Sequence, residues 1–592
     1  MDIAIQMRSI ELLVKILRHD LDNVPSYGYT PQKPKTFSGP ASHPLKRSTP
    51  EAEGVSSQRL LELFKGINES EEIAPHGLIA LRHGKVIAEG YWAPYNAETP
   101  HMLYSMSKSI VGTAIGMAVD EGLLALSEKL VDIFGDVTPA PQSRFWRNAT
   151  VENLLTMSTG ARFNEIGTML NKDWARMFME SLRKFEPGAA FEYNSLNSYM
   201  LAHIIKRKTG VGVVDFLQPR LFEPLGIGQY AWEKCPMGIE KGGWGLYMRL
   251  EDCAKIGQLY LNRGIWEGRR LLSEVWVEQA AAKRIDTPKG ECKNGYGYQI
   301  WMSPIEGAYQ FNGAFGQYVV VLPQNDAVVA LFSGSAQLFA KGALTQMISR
   351  CFEGADKKPL SVSGETDKLN SYLEGLMFSP PLPDGDWGAE PCMFSRFMED
   401  ESCREYRMEE NHAGLLPQTL QAAHSNYTSG TDLIRFEKLG RGLRISMYEG
   451  LEANSIFIRG DGGLSRGSFT HRGETYSIGV RGLWSSGPDG ALSLLAIISF
   501  TETPDTRLIC FELGGGALTA RYDETPSVEA ATDMLLELVG MSKVAYARQV
   551  IPHLGPSRFR ELMRQFMAPE INGRLITRHE DTYPSLENQE VN

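Results

Sequence analysis

Apolar and polar positions change their rhythm three times along the chain. Ile10, Leu13, Val14, Leu17 and Leu21 recur at helical spacing opposite Arg8, Glu11, Lys15 and Arg18, which predicts an amphipathic helix over residues 8–21. It packs either on its own domain or on a second subunit, so a homodimer through this helix is the alternative arrangement. A proline-, glycine- and serine-rich stretch over 25–50 then reads as an extended arm. From about 51 to 354, helical and strand patterns alternate. Residues 77–82 and 85–89 flank His83-Gly84, and residues 317–323 and 327–333 flank Gln324-Asn325-Asp326, so each set is expected to form a hairpin. The two hairpins should share one sheet, with a helix packed against it.

After Gly354 the pattern changes again. Asp356-Lys357-Lys358-Pro359 opens a polar linker, and residues 430–524 carry short alternating strands such as Leu443, Ile445 and Met447 against Arg444 and Ser446. Gly462-Gly463 and Gly514-Gly515-Gly516 supply turns, and the region is expected to close into a barrel or a sandwich. Helical patterns at 527–539 and 556–567 precede a polar tail. The expected organisation is a mixed α/β (α+β) protein with an N-terminal helix and arm (1–50), an alternating domain (51–354) and a β-rich domain with terminal helices (355–592).

Composition narrows the function. The 592 residues exceed one ordinary core, which fits two domains. A net charge of −11 argues against nucleic acid or an anionic membrane as partner, and no apolar run is long enough to span a bilayer. The charged residues among the first eighteen interrupt any secretory signal, so a cytoplasmic location is expected. The 7 cysteines are scattered and read as reduced thiols. The histidines form no ligand-spaced cluster and no Walker-type phosphate loop occurs, so neither a metal nor a cofactor is expected.

One stretch carries chemistry. In Pro100-His101-Met102-Leu103-Tyr104-Ser105-Met106-Ser107-Lys108-Ser109, Ser105 and Lys108 lie one helical turn apart at the start of a long apolar helix that runs to Gly122. An ammonium and the unpaired N–H groups of a first turn both favour an oxyanion, and a desolvated lysine can itself act as a base. Ser-x-x-Lys alone is weak, since roughly one or two chance copies are expected in a chain of this length. A second copy, Ser181-Leu182-Arg183-Lys184, reads as the polar end of a surface helix. Gly463-Leu464-Ser465-Arg466-Gly467 satisfies the nucleophile-elbow pattern but lies between strand-like runs, where that motif does not work, and is expected to be a turn.

Tyr91-Trp92-Ala93-Pro94 followed by Tyr104-Ser105-Met106-Ser107-Lys108-Ser109 resembles the penicillin-recognising serine hydrolases, in particular the class C β-lactamase-like group of esterases, D-aminopeptidases and transacylases. The likeness covers about residues 51–352 and includes Asn153-Leu154-Leu155-Thr156-Met157-Ser158-Thr159-Gly160, Gly242-Gly243-Trp244-Gly245 and Gly295-Tyr296-Gly297-Tyr298. It implies a β-lactamase/transpeptidase-like fold with a helical subdomain. It also implies a tyrosine base in a Tyr-x-Asn/Ser motif, matched by Tyr193-Asn194-Ser195. Ser105 would then be the nucleophile, Lys108 its activator, Tyr193 the general base and Ser195 a hydrogen-bond partner of Lys108 or substrate. The strand-edge element matches Phe311-Asn312-Gly313-Ala314, which makes Asn312, Gly313 and Ala314 the candidate substrate and oxyanion residues; Gly313 would let substrate lie close to the backbone. Phe311 stands where the family has lysine or histidine. A cation to grip a substrate carboxylate is therefore missing, which argues against β-lactamase or carboxypeptidase activity. The strands of the last third also resemble accessory domains found behind such hydrolases.

The expected function is an esterase or amidase acting through acyl-Ser105 on a small or peptide-like substrate. A transacylase or peptide cyclase of the same fold, or a non-catalytic scaffold, are the alternatives. The scaffold is disfavoured because it has no need of a costly buried Lys/Tyr pair.

Overall fold

The computed structural model describes residues 30–34, 38–163, 168, 171–288, 294–336, 342–355, 358–361, 364–388, 393–398, 401–424, 426–487, 491–527 and 556–576. The amphipathic pattern at 8–21 and nearly all of that at 527–539 lie outside them. Two compact units emerge, one over Gln32–Phe378 and the other from Ser379 onwards.

The first unit is built on a six-stranded antiparallel sheet. Its order is β2 (Lys85–Tyr91), β1 (Pro75–Arg82), β9 (Ala327–Ser333), β8 (Gln317–Leu322), β7 (Tyr309–Gly313) and β6 (Trp301–Met302). Both predicted hairpins are present, and β1 pairs with β9, so they do share the sheet. Strands β1, β8 and β9 are buried along their whole length because helices cover both faces. On one face, Leu78, Ala80, Val320 and Val329 pack on helix α1 (Ser57–Asn68) and on Ala343–Phe352. On the other face, Ile79, Leu81, Val319 and Val328 meet helix α2 (Ser107–Asp120) and Leu250–Leu261.

Helix α2 is buried from Ser107 to Ala118. A helix enclosed on all sides needs small residues where neighbours press closest. At Gly116 a Cβ would lie 2.4 Å from the Trp276 indole. Helices between Leu130 and Phe222 form the helical subdomain beside α2; its longest member, α4 (Ser195–Thr209), packs on α2. A small sheet of His101–Met102, Leu246–Met248 and Tyr230–Trp232 leads the chain into Ser105.

Sequence pattern placed a linker just after Gly354. Instead, helix Glu365–Glu374 packs on α1, and Leu369, Leu376 and Phe378 join that core, so the chain leaves this unit near Phe378. The helix is polar, with Leu369 its one fully buried residue, and its alternation is too faint to mark it as core.

The second unit is a ten-stranded antiparallel sheet curled into a nearly closed barrel. The strand order is Glu452–Arg459, Gly442–Glu449, Leu433–Leu439, Cys403–Met408, Glu570–Leu575, Ala517–Thr525, Thr506–Gly514, Leu492–Phe500, Glu474–Ser486 and Ser465–His471. The two end strands follow each other in the chain. Asn454 joins them, donating through Nδ2 to the Thr470 carbonyl (2.9 Å) and accepting at Oδ1 from the Thr470 N–H (3.0 Å). Ile434, Phe436, Ile445, Met447, Ile456 and Ile498 fill the interior, as the alternation required. Ser465 lies in a strand, which removes it as an elbow nucleophile.

Candidate active site

Leu103 donates its N–H to the Leu246 carbonyl (2.8 Å), and a short 3-10 turn, Tyr104–Met106, then carries Ser105 into α2. Ser105 thus precedes the α-helix proper. Tyr104 adopts a left-handed backbone (φ 46°), a conformation that costs a tyrosine of order 1–3 kcal/mol. Its carbonyl accepts a 2.6 Å bond from the Ser107 hydroxyl, which helps hold the turn.

Lys108, one turn on, is 1% exposed. Its Nζ donates to Ser105 Oγ at 2.8 Å and to the Gly243 carbonyl at 2.8 Å, and it stands 4.8 Å from the centroid of the Tyr193 ring. A buried ammonium is tolerable only with such partners. Tyr193 is brought in by α4: Asn194 caps that helix, accepting from the Leu196 N–H (2.9 Å) and donating to the Phe163 carbonyl (2.6 Å). Ser195 is buried, and a Cβ on Gly243 would lie 2.7 Å from Ser195 Cβ, so the Gly243 backbone is wedged between Ser195 and the lysine. Four residues singled out in the sequence, Ser105, Lys108, Tyr193 and Ser195, therefore converge.

The strand-edge residues divide. The loop after β7 wraps the approach to Ser105: Phe315 meets Tyr104 edge-on at 5.2 Å, and a Cβ on Gly313 would lie 2.1 Å from the Leu103 carbonyl. Gly313 is thus required by the protein's own backbone, a constraint nearer than the substrate contact expected for it. Ala314 follows in the hairpin loop, its carbonyl bound by Gln317 Nε2 at 3.1 Å. Asn312 pairs with Tyr318, on the sheet face covered by α1 and opposite to that of α2. Its Oδ1 is buried without a hydrogen-bond partner. Phe311 faces the α2 side, buried edge-on against Tyr260 at 5.2 Å, whose hydroxyl meets Thr113 Oγ1 at 2.9 Å. Strand β6 pairs with Tyr309 and Gln310 only, so the edge of β7 beyond Gln310 carries no ladder from β6.

The sequence did not single out three residues that shape this site. Gly243 was noted only as part of a glycine-rich match. Trp301 stacks on Tyr193 at 5.6 Å and 27°, and Gln299 lies two residues before it. The neighbouring Gly295-Tyr296-Gly297-Tyr298 was the available signal. The second Ser-x-x-Lys is unconnected: Ser181 bonds the Phe178 carbonyl, and Lys184 pairs with Glu192. No group of three or more His, Cys, Asp or Glu among the described residues could hold a metal ion, and none of their helices is long and apolar enough to cross a membrane.

This is the β-lactamase/transpeptidase type of fold, with a seryl hydroxyl and a buried ammonium at the mouth of a central helix. Residues 62–346, a little under half of the chain, match the family model described as Beta-lactamase. The chain is similar to the 6-aminohexanoate-dimer hydrolase of Paenarthrobacter ureafaciens, 27% identical over 297 residues that make up 44% of this chain and 73% of the relative. It is also similar to the D-aminopeptidase of Brucella anthropi, 26% identical over 166 residues, 26% of this chain and 32% of the relative. Among solved structures, it resembles the octameric penicillin-binding protein homologue from Pyrococcus abyssi, 16% identical, covering 79% of this chain and 99% of that one with a TM-score of 0.41.

Proposed function

We propose that the protein cleaves an ester or amide through an acyl intermediate on Ser105. The observation that carries this is the 2.8 Å contact between Lys108 Nζ and Ser105 Oγ in a site where the same ammonium lies over the Tyr193 ring. An ammonium so placed favours phenolate over phenol, and Tyr193 is the base. Ser105 Oγ adds to the carbonyl carbon as Tyr193 takes its proton. The resulting oxyanion is held by the backbone N–H groups of Ser105 and Ala314. Collapse expels the alcohol or amine, which recovers the proton from Tyr193. Water, deprotonated by the same tyrosine, then releases the acid and regenerates Ser105.

The apolar setting of Phe311 supports substrates that bring no carboxylate to that strand position. The name of the Paenarthrobacter relative makes the 6-aminohexanoate dimer the first amide to assay, beside p-nitrophenyl esters. The test is intact-protein mass after exposure to a fluorophosphonate, p-nitrophenyl acetate and a penicillin. Adducts with the first two that disappear in Ser105→Ala, and none with the penicillin, are the expected result. Folded protein that takes up neither of the first two reagents would overturn the proposal.

A further inference from the structure

We propose that Gln299 is the positioning residue that fixes Tyr193 relative to Ser105, a role that rests on the assignment of those two groups above. Gln299 is 2% exposed and has a left-handed backbone (φ 60°), which a glutamine keeps only where its surroundings hold it. Its backbone and side-chain polar groups are all engaged. The carbonyl accepts from Ser109 Oγ at 2.7 Å, and the N–H donates to the Leu155 carbonyl at 3.1 Å. Oε1 accepts from Ser198 Oγ at 2.5 Å, and Nε2 donates to the carbonyls of Leu154 (3.0 Å) and Leu155 (2.9 Å).

Those partners lie on the segments that carry the chemistry. Ser109 follows Lys108 directly in α2. Ser198 lies one turn beyond Ser195 in α4, five residues after Tyr193. Leu154 and Leu155 end the helix Val151–Leu155, and two residues on the Met157 carbonyl accepts the N–H of Glu192, which precedes Tyr193 (2.8 Å). Trp301, from the same strand entry as Gln299, closes the face of the Tyr193 ring. Serine and lysine come from one continuous turn and helix and hold their own register, whereas the tyrosine comes from another subdomain. One residue thus ties the two together, and five directed bonds, three from the buried side-chain amide and two from the backbone, set distance more sharply than apolar packing does.

The experiment uses the full chain as wild type, Gln299→Met, Ser198→Ala and the double variant. Active sites are first titrated with a fluorophosphonate. The acylation rate per titrated site with p-nitrophenyl butyrate, its pH dependence and the KM are then measured. In Gln299→Met the rate per site is expected to fall about 10- to 100-fold with KM within about 3-fold, because misplacement of a base costs the chemical step. The pH midpoint assigned to the base should rise as Tyr193 loses its place beside Lys108. Ser198→Ala should lose about 5-fold, and the double variant should equal Gln299→Met, since both substitutions cut one connection. A wild-type rate per site and pH midpoint in Gln299→Met would overturn the inference, as would loss of titratable sites alone or multiplicative effects in the double variant. If Gln299→Met does not fold, Ser198→Ala decides by the same readouts. Absence of any label on wild-type Ser105 would instead remove the catalytic assignment, and this inference with it.

Discussion

In the catalytic unit, Lys108 is almost wholly buried yet has a hydroxyl, a carbonyl and an aromatic face around its ammonium. Burial alone would raise Glu53, but hydrogen bonds from Lys85 (2.7 Å), Ser48 (2.7 Å) and His83 (2.9 Å) outweigh it and hold the carboxyl at about 2. The barrel unit treats charge differently. Burial raises Glu449, Asp505 and Glu524, in spite of hydroxyl and N–H donors and the Arg507 guanidinium, and it brings Asp505 to about 6. Thr419 Oγ1 lies 2.8 Å from Asp505 Oδ1 and 2.9 Å from Glu524 Oε1. A hydroxyl has one hydrogen to give, so it can donate to only one of two ionised carboxylates, and a proton on the other would let that carboxyl donate in turn. Glu524 has Arg507 Nη1 (2.8 Å) and two backbone N–H groups, which leaves Asp505 as the carboxyl that takes up a proton as pH falls through about 6. The exception in the first unit is Asp252, which burial raises although it lies between Arg249 and Lys255. Buried charge is thus well compensated where acyl transfer is proposed to use it, and its carboxylates are shifted towards the neutral form where it only fills a core.

The sharpest way to break that comparison is to remove the ammonium. Lys108→Met keeps the volume of the side chain and deletes the charge beside Ser105 and Tyr193. The acylation rate with p-nitrophenyl esters is expected to fall by roughly 10³-fold or more. Hydrogen-exchange protection of barrel peptides in 433–525 should be unchanged. A variant within tenfold of wild type would mean that the ammonium is structural. The barrel counterpart is Arg507→Met, which strips Glu524 of a partner that is itself fully buried. Breaking such a pair costs about 3–5 kcal/mol, reduced here to the extent that Glu524 takes up a proton. The loss should appear as weaker protection in the barrel strands, with acylation by Ser105 retained.

Much of this arrangement could be read from sequence, and the gaps have physical causes. The two hairpins, the apolar helix after Ser105 and the alternating strands of the barrel all announce themselves because burial imposes a period on the side chains. Ser105 and Lys108 could be found because they sit within a turn of each other at the start of an apolar helix, and Tyr193 and Ser195 because the run Tyr193-Asn194-Ser195 resembles a family motif. Gln299 could not, since its importance lies in four partners between 101 and 190 residues away, and spacing carries no trace of them. The face on which Asn312 lies was hidden for a related reason. A strand residue faces one side or the other by register, and only the pairing with Tyr318 reveals which. The strand-edge glycine was recognised, but the backbone that crowds it, Leu103, belongs to a segment more than two hundred residues earlier.

The smallest effect is also the most diagnostic, because its sign differs between the units. Asp505 moves from an ordinary 3.8 to about 6, so the native barrel binds its proton more tightly than the unfolded chain does. The associated stability is fully present below about pH 4 and is lost as pH rises through 6, about 3 kcal/mol in all. The catalytic unit should respond the other way. Burial, helped by the charge of Arg207, lowers His203 to about 4. The unfolded chain therefore takes up that proton first, and stability falls as pH drops from about 6.5 towards 4. Glu53, held at about 2, extends the loss further into acid. Hydrogen exchange at pH 5 and pH 8, corrected for intrinsic rates, should show barrel strands better protected at pH 5 and α1 and the six-stranded sheet better protected at pH 8. Asp505→Asn mimics the protonated acid, since its amide can donate to Thr419 and cannot ionise. It should flatten the barrel's pH dependence while leaving that of the catalytic unit intact. An unchanged barrel slope in this variant would show that the proton shared with Thr419 resides on Glu524, and the contrast between the units would then rest on a different carboxyl.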